Sequence, residues 1–154
     1  MTTLQDASVA SVSCLEHAVL EHIKQALRVT LDWKAPVVSM PRKLSSLQFT
    51  MKSFRRHLDR VMSIEEEGGY LNDIAEERPS FQPRIDTLGA DHRGFRERIR
   101  RLGPELDSLA QWDEMRFAEL CDEIRDLLAD VDRHDAEEID LIQESLLLDD
   151  GGEG

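Results

Sequence analysis

A chain of 154 residues is long enough for one domain with its own core and short for two. Its 32 acidic and 19 basic side chains give a formal charge of −13, a field that repels phosphate backbones and anionic headgroups and weighs against nucleic-acid and membrane-surface partners. The cysteines, Cys14 and Cys121, form neither a short-spaced ligand pair nor a disulfide framework, and with no signal-peptide layout or long apolar run a soluble, cytoplasmic protein is expected.

Strand signals are nearly absent, and proline and glycine divide the sequence into four helical segments. The first is expected to run from an Asp6 N-cap to about Trp33, where Lys34-Ala35-Pro36 stops it. Its inward face reads best as Val12, Leu15, Val19, His22, Ala26 and Val29, because the competing stripe of His17, Leu20, Leu27 and Leu31 is interrupted by Lys24. After a linker from Pro36 to Pro41, the second helix carries Leu44, Leu47, Met51, Phe54, Leu58, Val61 and Glu65 along one face until Gly68-Gly69 weakens it. A further turn from Tyr70 to Ala75 and a loop from Arg78 to Pro83 follow. The third helix places Leu88, His92, Phe95, Ile99 and Leu102 on one face and is expected to end at Gly103-Pro104. A connection around Trp112 leads to the fourth, whose seam is Phe117, Leu120, Ile124, Leu127, Val131, His134, Glu138 and Leu141. The tail from Asp149 to Gly154 is polar and glycine-rich and is expected to be disordered, leaving residues 1–148 as the domain.

The second and fourth seams repeat each other. Superposed, apolar positions meet apolar positions and Glu65 falls on Glu138, while Val61 stands opposite His134. The fold this implies is an all-α, up-down four-helix bundle of two similar helical hairpins, in which a recurring polar layer converges at one place. His134 and Glu138 lie one turn apart on a face that resumes as apolar at Leu141, so the alternative of a solvated helix end is disfavoured; a buried carboxylate calls for a cation or a hydrogen-bonding partner. Glu65 belongs to an acidic run, Glu65-Glu66-Glu67; its register with Leu58 and Val61 turns it inward, with Glu66 about 100° away, and the alternative is a helix end opening into solvent at Gly68. His92 is a candidate ligand, or else a core histidine bonded to a carbonyl or a first-turn residue after an Asp91 cap. On the first helix His22 is the preferred candidate, with His17 as its alternative, and His57 lies off the second seam as a surface or boundary residue.

With these residues the chain resembles the hemerythrin-like, or HHE cation-binding, family of four-helix bundles. In that family each half supplies a histidine from its first helix, then a histidine and a glutamate four residues apart from its second. Asp91-His92 and His134-Asp135-Ala136-Glu137-Glu138 are similar to that pattern, whereas the first half has His17 or His22 and Glu65, with Val61 at the position of the second histidine. The resemblance implies a small stand-alone protein binding non-haem iron, one or two ions, through His22 (or His17), Glu65, His92, His134 and Glu138. A small diatomic ligand or the metal ion itself is the implied partner, in oxygen, nitric oxide or oxidant sensing or in iron storage. The other reading is a bundle that has lost its metal and serves as an interaction or regulatory module, which Val61 would suit. No nucleophile with a neighbouring base and no glycine-rich phosphate loop is evident, so a binding protein is favoured over an enzyme.

Overall fold

The computed structural model describes residues 4–34 and 36–150, with side chains from residue 14 to residue 148 apart from residue 35. Within them lie four long helices, α1 (Leu4–Leu31), α2 (Met40–Gly68), α4 (Gln82–Asp107) and α5 (Glu114–Asp150), with a short α3 (Tyr70–Glu77) and a 3-10 turn (Pro79–Phe81) between the second and third, and no strand. Among the described residues no helix is long and apolar enough to cross a membrane. Of the tail expected to be disordered, Asp149 and Asp150 continue α5, and the rest lies outside the described residues.

Each boundary has a local cause. The Ser39 hydroxyl accepts from the Arg42 N–H and Pro41 sits in the first turn, which starts α2. Gly69 at φ 75 ends α2 and begins α3, in a left-handed conformation that a side chain would strain. The Asp113 carboxylate accepts from the Arg116 N–H at the start of α5. The Leu31 carbonyl at the end of α1 accepts from both Lys43 and Arg125 at 2.7 Å, so neighbouring helices fix that terminus. Gly103-Pro104 does not stop α4. The proline removes one donor, but the helix continues to Asp107 because Leu106 is buried in the core. The expected loop before α4 is the 3-10 turn, anchored by buried Phe81.

The helices form a square in which α1 lies beside α2 and α5, and α4 beside α2 and α5. The inward faces expected for the second, third and fourth helices are the buried ones. The first helix departs from expectation: Leu15 is 65% and Val29 58% exposed, and the buried face is Leu20, Lys24, Leu27 and Leu31. Lys24 does not break that stripe. Its side chain is only 2% exposed, and its ammonium meets Asp132 at 2.8 Å, Glu21 at 2.9 Å and Asp135 at 3.2 Å, so the aliphatic stem packs inward while the charge is neutralised from α5.

Two apolar clusters result. The larger runs from Leu31 and Leu44 to Val61, Phe95 and Val131. The smaller joins Leu71, Phe81, Leu88 and Leu141, with Tyr70, Ile74 and Ile85 against it. Between them, Glu65 follows Val61 on α2, His92 precedes Phe95 on α4, and His134 and Glu138 lie between Val131 and Leu141 on α5, all four buried.

Candidate metal centre

The polar layer draws on all four long helices. Glu65 is its hub, with Oε1 3.2 Å from Nε2 of His17 and Oε2 3.0 Å from Nε2 of His92. On α5, Nε2 of His134 is 3.6 Å from Oε2 of Glu138. The His92 and His134 rings lie 4.9 Å apart, and Phe95 meets His134 edge-on at 5.5 Å. Ligand atoms of Glu65, His92 and His134 lie within 4.8 Å of one another, as do those of His134, Asp135 and Glu138. In the second group Asp135 is already committed to Lys24.

The outer nitrogen of each buried imidazole is engaged. Nδ1 of His92 donates to Glu66 at 3.0 Å and Nδ1 of His134 donates to Asp91 at 2.9 Å. Acceptors there select the tautomer whose bare Nε2 faces the layer. The inner atoms, namely both Glu65 oxygens, Nε2 of His92 and Oε2 of Glu138, are buried without a hydrogen bond of acceptable angle, even where the distance is short. A bare imidazole nitrogen and a carboxylate oxygen about 3 Å apart are two lone pairs facing each other. Such a pair is stable with a cation or an added proton between them, and a buried donor set of imidazole and carboxylate suits iron, manganese or zinc.

The protonation equilibria reflect the same crowding. Burial alone raises the Glu65 carboxyl, but the imidazoles of His17 and His92 outweigh it and hold the group down to about 2. His17 is raised by its contact with Glu65; His92 is raised as well, because Glu65 and Glu66 overcome the opposing effect of burial. Burial and the charge of Glu65 push Glu138 up to about 7. Tyr70 donates to Oε1 of Glu138, and burial together with that carboxylate raises the phenol far above its ordinary range. Without a metal the layer therefore retains protons that a cation would displace.

Four of the sequence candidates, Glu65, His92, His134 and Glu138, meet here. His22, preferred on the first helix, is exposed, and His17 takes its place, because the register of α1 follows the Lys24 stripe. Asp91 is no helix cap: α4 begins at Gln82, and Asp91 serves as the acceptor for His134. His57 is a boundary residue paired with Glu16 at 3.2 Å. Tyr70, Glu66 and Lys24 were missed by sequence reasoning. Only Lys24 left a signal, as a charge set in an otherwise apolar stripe.

A model of the hemerythrin HHE cation-binding domain matches residues 15–145, from α1 into α5. The chain belongs to the hemerythrin HHE cation-binding family. No curated protein and no solved structure matches it significantly. Within this hemerythrin-like bundle the departure is local. Val61, 4% exposed, occupies on α2 the position one turn before Glu65 that His134 occupies before Glu138 on α5. The layer thus offers three imidazoles and two carboxylates, a donor set that fits a cation.

Proposed function

We propose that this protein binds one non-haem iron ion through His17, Glu65, His92, His134 and Glu138, and uses it to take up or sense a small diatomic ligand. The observation that carries this reading is the division of labour in the imidazoles: Nδ1 of His92 and of His134 is held by an outer carboxylate, while inner donor atoms lie buried without hydrogen bonds. Five donors suit one ion with a position to spare, and Val61 removes the sixth side chain that a second ion would use. Bound there, iron would supply an open coordination position for an exogenous ligand. The chain's own residues would do the rest. Asp91 and Glu66 orient the imidazoles, Tyr70 holds Glu138 in place through its hydroxyl, and Phe95 covers one edge of His134.

Elemental analysis of protein purified without chelator, then loaded anaerobically with ferrous ion, tests the proposal. About one equivalent of iron with an absorption change on exposure to oxygen or nitric oxide is expected. Less than about a tenth of an equivalent of any transition metal would leave the metal-free module as the better account.

A further inference from the structure

Away from the polar layer, α2 and α4 enclose a groove of about 310 Å³ whose walls are Arg55, Arg56, Asp59 and Arg60 from α2 and Arg96 and Arg100 from α4, over Met62 and Ile99. Five guanidiniums thus face one carboxylate in a chain whose formal charge is −13. Asp59 is engaged by Arg96 at 3.2 Å, Arg96 also holds Glu66, and Arg60 reaches Glu16 at 3.4 Å. Among the described residues, Arg55, Arg56 and Arg100 have neither an ion pair nor a side-chain hydrogen bond. Elsewhere Arg84, Arg98, Arg101 and Arg116 each pair with a carboxylate. Three unpaired guanidiniums are therefore gathered in one concavity, where a bound anion would relieve their mutual repulsion.

We propose that this groove is a binding site for a small anion of the diphosphate type. Guanidinium forks match phosphate oxygens two at a time. Arg56 and Arg60 on one wall, and Arg96 and Arg100 on the other, are each four residues apart, so the rungs repeat about every 6 Å and favour an elongated ligand with two anionic groups over a single phosphate. The volume falls at the lower end of small-molecule sites, roughly 300 to 1,000 Å³, and Met62 and Ile99 give an apolar floor. A polymeric polyanion would also meet the acidic remainder of the molecule, which opposes it. Free diphosphates and phosphorylated lipid headgroups share this chemistry; the charge balance favours the free form.

Titration calorimetry of the full-length protein with inorganic pyrophosphate at low salt tests the site. One equivalent is expected to bind, more tightly than orthophosphate, and a variant carrying Arg56→Gln and Arg100→Gln should bind at least about tenfold more weakly. Arg96 is left intact because it supports Glu66. Lys52→Gln, an exposed charge on α2 outside the groove, should bind normally, and circular dichroism verifies that both variants are helical. Absence of binding up to about 1 mM pyrophosphate, or equal weakening by Lys52→Gln, would overturn the proposal. So would retention on vesicles bearing phosphomonoester headgroups without binding of free pyrophosphate, which would assign the arginines to a lipid surface.

Discussion

Nε2 of His17 lies 3.2 Å from Oε1 of Glu65, which joins α1 to the polar layer at a point where the chain offers a second histidine, His22, that stays exposed. His17→Ala is therefore expected to weaken iron binding at least about tenfold, since even outer partners of metal ligands are worth 10- to 100-fold, while His22→Ala leaves it unchanged. Iron content after anaerobic loading and desalting distinguishes them, and equal losses would mean that α1 is rotated from the register described.

Asp91 and Glu66 touch no ion in the proposed site but set the direction of His134 and His92. Asp91→Asn keeps an acceptor oxygen and removes the charge. Iron affinity should fall roughly 10- to 100-fold with the helical content unchanged. A competitive chelator titration would measure it, and wild-type affinity would show that the His134 tautomer needs no carboxylate.

Val61→His places an imidazole one turn before Glu65, reproducing on α2 the spacing of His134 and Glu138. Iron stoichiometry is expected to rise above that of the wild type. In the metal-free state the same change should cost about 1 to 3 kcal/mol, because a polar ring replaces an apolar side chain in a packed core. Elemental analysis and urea unfolding, each with and without metal, give both halves of the result.

Acid should stabilise the metal-free protein. Glu138 titrates at about 7 in the folded state and near 4.5 when unfolded, so between those values the native state holds a proton that the unfolded chain has lost, and stability falls as pH rises. His17 and His92, raised above 6.5, continue the decline at higher pH. Glu65, held to about 2, contributes the opposite trend, complete by about 4.5. Chelator-treated protein should therefore melt higher near about pH 5 than near about pH 8. Iron affinity should instead increase with pH, as binding displaces these protons. Thermal melts with and without metal check the two slopes, and Glu138→Gln should flatten the first.

Lys24 is a stability determinant outside the donor set. Lys24→Ala removes a buried stem and leaves Asp135 without its cation and Asp132 with Arg28 alone, a loss of about 2 to 4 kcal/mol, moderated because those carboxylates are partly solvated. Lys24→Met should recover the packing part of the loss. Denaturant midpoints of the two variants separate stem from charge.

The bundle and most of its layer were legible because α2, α4 and α5 obey a regular helical period with few interruptions. Leu58, Val61 and Glu65 share one inward face, as do Val131, His134 and Glu138. The first helix was misread because a lysine was treated as a surface residue, whereas Asp132 and Asp135, far along the chain, make its burial tolerable. That choice ranked His22 ahead of His17, the alternative that lies beside Glu65. Gly103-Pro104 misled for a related reason: local propensity favours a stop, and burial of Leu106 overrides it. Tyr70 and Glu66 act across helix interfaces, and no spacing within one element encodes such a contact.

The two apolar clusters are unequal, and the polar layer is the seam between them. The smaller one is built from α3, the 3-10 turn, the start of α4 and Leu141 of α5, and has far fewer members than the larger. Beside that apolar packing, Tyr70 ties it to the layer through its hydrogen bond to Glu138. Tyr70 from the smaller cluster and Glu138 from the layer share that one hydrogen bond, so whatever protonates or ligates Glu138 is felt at the cluster's end of the bundle as well.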